Sequence, residues 1–173
     1  VPDIIISDVM MPQKDGFEVC QTLKKDERTS HIPIILLTAK ADMDSKLEGL
    51  ELGADAYLAK PFNRRELNVR LKKLVELRRA LQERYGKFPE SGPEDSDVYT
   101  PEAEFLKKVH RLVEQNMSNA EYGLHQLCQA LHLSRSQLFR KLKALTGKST
   151  SIFIRSIRLQ HARKLLRTTG LPI

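Results

Sequence analysis

Residues 2–12 read PDIIISDVMMP, in which a short apolar run is followed by a serine, an acidic residue and, four positions further on, a proline. A continuous apolar run is typical of a parallel strand that is buried on both faces. Similar runs return at residues 32–37 and 56–59, and apolar residues three apart at residues 16–25 indicate a helix between the first two runs. This alternation of strand and helix predicts an α/β layer with a parallel sheet.

Three polar residues follow the three predicted strands: Asp8, Thr38 and Lys60. Ligands bind beyond the carboxyl ends of the strands in an open parallel sheet, so these side chains are expected to converge. The set suits transfer of a phosphoryl group to the carboxylate, because the cation and the hydroxyl neutralise charge on the phosphoryl oxygens. Taken singly, each residue is a weak signal, since an aspartate after a strand is more often a turn former or a helix cap.

This part of the chain resembles the receiver domain of two-component response regulators. The spacing of 30 residues from Asp8 to Thr38 and of 22 residues from Thr38 to Lys60 is similar to that of the family. The matching stretches are residues 2–12 (PDIIISDVMMP), Gly16, residues 37–39 (LTA) and residues 53–62 (GADAYLAKPF).

The resemblance implies a role for each matching residue. Asp8 is the expected phospho-acceptor, and its carboxylate is expected to bind Mg²⁺ together with the backbone carbonyl of Met10. Lys60 and Thr38 are expected to bind the phosphoryl group, and the Lys60-Pro61 bond is expected to be cis. Tyr57 is the expected aromatic switch, filling the space that Thr38 leaves when it moves to the phosphoryl group. A simple packing role for Tyr57 is also compatible with the sequence.

One departure from the receiver pattern concerns the start of the chain. Receivers begin with two further strands, the first of which delivers an acidic pair that completes the Mg²⁺ site, and no such pair precedes Val1. We therefore expect this polypeptide to be a fragment, to expose an apolar sheet edge and to be phosphorylated poorly on its own. Efficient Mg²⁺-dependent labelling of Asp8 by a small phosphodonor would contradict this expectation.

The charge of the chain is concentrated in its last third. The net charge of the 173 residues is +7, yet residues 101–173 hold 13 Lys and Arg against 4 Asp and Glu, a net of +9. Such an asymmetry favours an anionic partner, nucleic acid or membrane surface, over a merely solvated basic face.

The apolar runs are too short to span a bilayer, and no signal-peptide pattern opens the chain. The two cysteines are far apart in the sequence, which favours a reducing, cytoplasmic setting.

The basic segment contains the pattern of a helix-turn-helix. A helix from Tyr122 to Leu131 is followed by a turn at residues 132–133 and by a second helix that Ser134 caps and Gly147 ends. The second helix sorts its residues by face, with Leu138, Leu142 and Leu145 toward the core. The residues pointing away are Arg135, Ser136, Phe139, Arg140 and Lys143. An exposed row of this kind suits DNA, where Arg135 and Lys143 hold phosphates while the others reach base edges. A solvated helix with a buried Phe139 is the alternative.

This segment resembles the DNA-binding domain of AraC/XylS-type transcription regulators. The matching stretches are residues 127–128 (LC), 133–143 (LSRSQLFRKLK), 146–147 (TG), 153–155 (FIR) and 158–166 (RLQHARKLL). The family joins two helix-turn-helix units by one long helix, which would account for the apolar residues around most of the helix predicted at 151–167. The resemblance makes Ser136, Phe139 and Arg140 the expected base readers. His132 stands where the family often has Gly, so a strained turn is expected there, and the chain stops where a second unit would begin.

Two further helices and a linker complete the predicted organisation. Asp42 is expected to cap a helix that carries Leu47 and Leu50 and ends at Gly53. Asn63 and Glu66 form a capping-box pattern ahead of a helix that presents Leu67, Leu71, Leu74 and Val75 on one face and continues to about Tyr85. We expect a receiver domain at residues 1–85 that lacks its first two strands, a linker at 86–100, and a DNA-binding domain at 101–173. The fold class is a partial flavodoxin-like doubly wound receiver followed by an all-α helix-turn-helix domain.

The leading hypothesis is a phosphorylation-regulated, sequence-specific transcription regulator of a two-component phosphorelay, and not an enzyme. Its expected partners are double-stranded DNA, a histidine kinase as phosphodonor and, by family analogy, a second copy through the helix from Arg64. Because receivers also occur at the ends of hybrid sensor kinases, the chain is compatible with such a parent.

One alternative is a haloacid-dehalogenase-type phosphatase, which is disfavoured because Met10 stands where a second Asp is needed. Another is a receiver that acts only as a protein-interaction module. The five histidines show no metal-binding spacing.

Overall fold

The computed structural model describes residues 2–39, 52–86 and 100–169, which fall into two compact units, Val1–Ala80 and Leu81–Ile173. The helix predicted after Asp42 and most of the predicted linker lie outside the described residues. None of the helices in the described ranges is both long and apolar enough to cross a membrane.

The first unit is built on a parallel sheet of three strands in the order β1-β2-β3. The strands are β1 (Ile5–Asp8), β2 (Ile34–Thr38) and β3 (Ala56–Ala59), and helix α1 (Gly16–Lys25) connects the first two. Helix α2 (Arg64–Gly86) follows β3 and crosses the boundary between the units. The predicted α/β layer with its parallel sheet is confirmed.

The two faces of the sheet are covered by different helices. Ile34 and Leu36 of β2 pack with Cys20 of α1, whereas Ile35 of the same strand packs with Leu74 of α2. This alternation follows from the two-residue period of a strand and explains why the runs are apolar throughout. Ile6 of β1 is 46 % exposed, so the apolar surface expected at this end of the described sheet is present.

The face predicted for α2 is partly wrong. Leu74 is buried and Leu67 and Leu71 pack beside it, but Val75 is 41 % exposed. Val75 lies about 100° around the helix from Leu74, outside the narrow stripe that touches the sheet. The N-cap half of the predicted capping box is confirmed, because the side-chain oxygen of Asn63 accepts a hydrogen bond of 2.7 Å from the backbone N–H of Glu66.

The described part of the second unit is helical, and its buried side chains form a hydrophobic core. After the end of α2 come α3 (Pro101–Gln115), α4 (Leu124–Leu131), α5 (Arg135–Thr146) and α6 (Thr150–Thr169). Buried side chains from four helices meet in the core, among them Phe105, Leu127, Leu142 and Phe153. Thr100 caps α3 through a hydrogen bond from the N–H of Ala103.

The turn between α4 and α5 has the geometry that the sequence predicts. His132 adopts a left-handed conformation with φ of 53°, which is unusual for a residue other than glycine, and the N–H of Leu133 bonds back to the carbonyl of Cys128. Ser134 and Gln137 then exchange side-chain and backbone hydrogen bonds as a capping box. Gly147 ends α5 with φ of 72°.

Helix α6 is slightly longer than the 151–167 predicted and packs on one side within the described chain. Phe153, Ile154 and Ile157 are buried, whereas Leu159, Leu165 and Leu166 are 47–63 % exposed. The two-sided apolar pattern is therefore present in the sequence, but only one of its sides lies against described residues.

Candidate functional sites

The first candidate site lies at the carboxyl edge of the sheet. Asp8 is the last residue of β1, and Lys60 follows the end of β3. Their side chains form a salt bridge, with Asp8 34 % exposed and Lys60 40 % exposed. Residues that are 52 positions apart in the chain are thereby joined at one solvent-accessible point.

Thr38 is held beside this pair by the backbone of the sheet. It is the last residue of β2, its carbonyl accepts a 2.6 Å hydrogen bond from the N–H of Lys60, and its strand partner is Ala59. On the other side of β2, the carbonyl of Leu37 accepts a 2.7 Å bond from the N–H of Val9. The register therefore brings the three predicted residues to the same edge, although Thr38 is only 3 % exposed.

The environment of Asp8 favours its charged form. The hydrogen bond from the Lys60 ammonium is the main cause that lowers the pKa of the Asp8 carboxyl below its ordinary value, and the N–H of Met10 acts in the same direction. Desolvation opposes this shift. The Lys60 contact therefore favours the deprotonated form of the carboxyl group. The pair stabilises the folded state above the ordinary aspartate pKa, and this contribution is lost as the pH falls through the lowered value.

The loop after Asp8 is shaped by a glycine. The N–H of Met10 donates a 3.2 Å hydrogen bond to the Asp8 carboxylate, and the N–H of Gly16 donates one of 2.9 Å to the carbonyl of Val9. A Cβ atom at Gly16 would lie 2.3 Å from the Asp8 carbonyl oxygen and 2.9 Å from the Val9 Cα. Because both are backbone atoms, the loop has no side chain that could move aside.

Gly16→Ala is expected to lower the free energy of unfolding of the first unit by about 1–3 kcal/mol, since the added methyl group forces the Asp8 loop away from α1. Urea denaturation measures the change. Lys25→Ala, on the exposed surface at the end of the same helix, is the control and should change stability by about 0.5 kcal/mol or less. A Gly16→Ala protein as stable as the wild type would show that the close approach does not constrain the loop.

The expected switch residue, Tyr57, is buried in this structure. Its ring stacks on that of Phe17 with 6.4 Å between the centroids, and its side chain is 7 % exposed. Among the described residues its hydroxyl has no hydrogen-bond partner. This position satisfies the simple packing role, and the switch role stays a prediction. The Lys60-Pro61 bond is cis, as the receiver resemblance implies.

The oxygen donors at the site fit part of a Mg²⁺ coordination shell. Mg²⁺ takes six oxygen ligands and is commonly held by one or two carboxylates together with water and phosphate oxygens. The partly exposed Asp8 carboxylate and the backbone carbonyl of Met10, a residue that is 72 % exposed, are the expected protein donors. Within the described ranges no group of three or more His, Cys, Asp or Glu side chains forms a fuller metal site.

The second candidate site is the outer face of α5. Leu138, Leu142 and Leu145 are at most 3 % exposed, as predicted for the core side. The five residues predicted to point away are all exposed: Arg135, Ser136, Phe139, Arg140 and Lys143. Phe139 is 47 % exposed, so the alternative in which it is a core residue is wrong.

Two residues near this face were missed by the sequence interpretation. Lys141 is 1 % exposed, and its ammonium lies 4.2 Å from the centroid of the Phe105 ring, a cation–π arrangement. The signal was present, because Lys141 stands three residues after Leu138 and one before Leu142, on the core side of the helix. Gln82 of α2 contacts the C-terminal end of α5, and no local sequence pattern predicts that contact.

Two segments of the chain match known families. Residues 1–72 match the family described as Response regulator receiver domain, and residues 127–173 match one described as Helix-turn-helix domain. The chain therefore has a receiver-type flavodoxin-like fold with a parallel sheet, followed by an all-helical region that carries a helix-turn-helix domain.

Individual relatives share one or both of these segments. Histidine kinase P4 of Formosa agariphila is 40 % identical over the whole chain, which spans 13 % of that protein. Phosphate regulon transcriptional regulatory protein PhoB of Pseudomonas aeruginosa is 53 % identical over 74 residues, 43 % of this chain and 32 % of that protein. DNA-binding dual master transcriptional regulator RpaA of Synechocystis sp. is 47 % identical over 74 residues, 43 % of this chain and 31 % of that protein. The chain thus spans a minor part of each of these three relatives.

Proposed function

We propose that this chain is a phosphorylation-regulated, sequence-specific DNA-binding transcription regulator of a two-component phosphorelay, and not an enzyme. The observation that carries the proposal is the Asp8–Lys60 salt bridge at the carboxyl edge of the sheet, with Thr38 held beside it. The receiver match at residues 1–72 and the basic outer face of α5 support the two halves of the function. The sequence pattern assigns residues 1–85 to the receiver, 86–100 to a linker and 101–173 to an AraC-type DNA-binding domain. The last residues of the long helix, from Leu81, belong to the second compact unit.

The chemistry of the first half is phosphoryl transfer to Asp8. A carboxylate oxygen of Asp8 attacks the phosphorus of a phosphohistidine, so that a P–O bond forms while the P–N bond breaks. The electron pair returns to the imidazole nitrogen, which takes up a proton from water. Lys60 exchanges its contact with the carboxylate for a phosphoryl oxygen, and the Thr38 hydroxyl donates to another. The Asp8 carboxylate and the Met10 carbonyl would hold Mg²⁺, which would supply positive charge to neutralise the phosphoryl oxygens.

The phosphodonor is a histidine kinase, and the whole system acts in the cytoplasm. The likeness to Histidine kinase P4 supports this partner and is compatible with a kinase in the same polypeptide. The contact with Lys60, which lowers the pKa of the Asp8 carboxyl, keeps this group in the charged form that attack on phosphorus requires.

The chemistry of the second half is the reading of DNA by α5. Ser136, Phe139 and Arg140 are all exposed on one side of the helix, with side chains suited to base edges: a guanidinium for guanine, a hydroxyl for several partners and a ring for the thymine methyl group. Arg135 and Lys143 flank them with positive charge suited to phosphates. The helix is fixed behind by Leu138, Leu142 and Leu145, so the reading face is presented on a rigid element.

Substitutions of two neighbouring cations test this assignment. Arg140→Ala is expected to weaken binding by roughly 1–3 kcal/mol and to relax the preference at one base position, because a base contact is lost. Lys143→Ala is the matched comparison, and it should weaken binding to all sequences similarly while reducing the salt dependence. Binding to duplexes selected from a random library, titrated at several salt concentrations, measures both effects. If neither change altered binding, the assignment of the α5 face would be wrong.

A further inference from the structure

The last turn of α2 lies against the C-terminal end of α5 within the second unit. The side-chain amide of Gln82 donates hydrogen bonds of 3.1 Å to the carbonyl oxygens of both Lys143 and Ala144. Tyr85, one turn further along α2, packs against the hydrophobic core of this unit. The α5 helix is therefore held by a segment that precedes the first residue of α3.

This contact supplies hydrogen-bond donors to carbonyl groups at the C-terminal end of α5. The last four carbonyl groups of a helix lack partners in the helix itself and must find them elsewhere. Gly147 satisfies the Lys143 carbonyl once, through its own N–H at 3.1 Å, and Gln82 reaches the same carbonyl and that of Ala144. The end of α5 is thus capped both by its own chain and by a side chain distant in sequence.

The backbones of the two helices also approach each other closely. A Cβ atom at Gly86, the last residue of α2, would lie 2.9 Å from the carbonyl oxygen of Thr146, the last residue of α5. Any larger residue at position 86 would push the two helix ends apart. The contact is therefore fixed at Gln82 and again one turn later at Gly86.

We propose that Gln82 is a positioning residue for DNA recognition, which sets the direction of the last turn of α5 without touching DNA. The inference rests on the proposed DNA-binding function. The contacts that Leu138, Leu142 and Leu145 of α5 make in the core are apolar and have no preferred direction. The Lys141 ammonium over the Phe105 ring holds an earlier turn of the helix. The hydrogen bonds that Gln82 donates from α2 do have a preferred direction. One of them acts on the backbone of Lys143, within a turn of Arg140.

The test compares Gln82→Met with Glu83→Gln in the full chain. Gln82→Met keeps the side-chain length but removes the donor, and Glu83→Gln changes an exposed neighbour on the same helix. The probe is a duplex that the wild-type chain selects from a random library, with a random-sequence duplex beside it. Gln82→Met is expected to bind the selected duplex roughly three- to tenfold more weakly while its affinity for random duplex stays within about twofold, because two net hydrogen bonds are lost. Glu83→Gln is expected to lower neither the affinity for the selected duplex nor the ratio of selected to random binding.

Two further variants separate positioning from loss of fold. Gln82→Lys restores a donor at the C-terminal end of α5, where positive charge is also favourable, and should return the ratio of selected to random binding to about the wild-type value. Gly86→Ala displaces the C-terminal end of α5 while the Gln82 amide is intact, and it should lower the ratio of selected to random binding. It therefore provides a test if Gln82→Met folds poorly. A wild-type ratio in Gln82→Met, or in Gly86→Ala when Gln82→Met does not fold, would overturn the inference. A wild-type chain that selects no duplex would contradict the proposed function itself.

Discussion

Replacing Leu142 by alanine is expected to lower the free energy of unfolding of the second unit by about 2–5 kcal/mol. Leu142 is fully buried among Phe105, Leu127 and Phe153, and helices on several sides limit how far the core can close around the lost atoms. The loss therefore combines the hydrophobic transfer free energy with the free energy of a cavity. Urea denaturation followed by circular dichroism measures it.

Phe139→Ala is the matched control on the same helix. Because Phe139 is 47 % exposed, its removal should cost about 1 kcal/mol or less in stability while weakening binding to a selected duplex. The two variants thus separate the two faces of α5, one by stability and the other by DNA affinity. Equal destabilisation by both substitutions would show that Phe139 belongs to the core and that the proposed reading face is wrong.

Asp8→Asn is expected to abolish the phosphoryl label that a histidine kinase places on the intact protein. The amide nitrogen and oxygen of asparagine cannot form the acyl phosphate that the proposal requires, so the loss should be complete and not gradual. Transfer of a radioactive phosphoryl group in the presence of Mg²⁺ measures it, and release of the label by hydroxylamine identifies an acyl phosphate.

The control for this experiment is Asp3→Asn, in the same segment of the chain. Asp3 is 88 % exposed and contacts Arg78 at 3.3 Å, away from the carboxyl edge of the sheet. It should keep the wild-type label. Labelling of Asp8→Asn at the wild-type level would mean that another residue is the acceptor and that the Asp8–Lys60 pair has a structural role.

Features that depend on neighbouring residues along the chain were predictable from the sequence. The apolar runs located the strands to within one or two residues, because a strand covered on both faces, such as β2, is apolar along most of its length. The Ser134 capping box and the Gly147 helix end followed from the same kind of local chemistry. The separation of Leu138 from Phe139 was also predictable, since helical periodicity alone assigns them to different faces.

Features that depend on what packs against a helix were harder to predict. Val75 has the apolar character of a core residue, yet the sheet covers a narrower stripe of α2 than the sequence pattern suggests. Lys141 was overlooked because lysine is rarely buried, although its long apolar stem and the Phe105 ring make burial tolerable. The contact from Gln82 joins segments about 60 residues apart, and no local rule of sequence encodes such a pairing.

If the proposed function is right, phosphorylation of Asp8 changes DNA binding, and a titration with DNA measures this coupling. The affinity of the intact protein for a selected duplex is measured before and after phosphorylation, in samples whose labelling at Asp8 has been verified. We expect the affinity to change between about 5-fold and 150-fold in the wild type, the usual range of allosteric coupling, and to stay constant in Asp8→Asn treated in the same way. Identical affinities of the labelled and unlabelled wild type would contradict it.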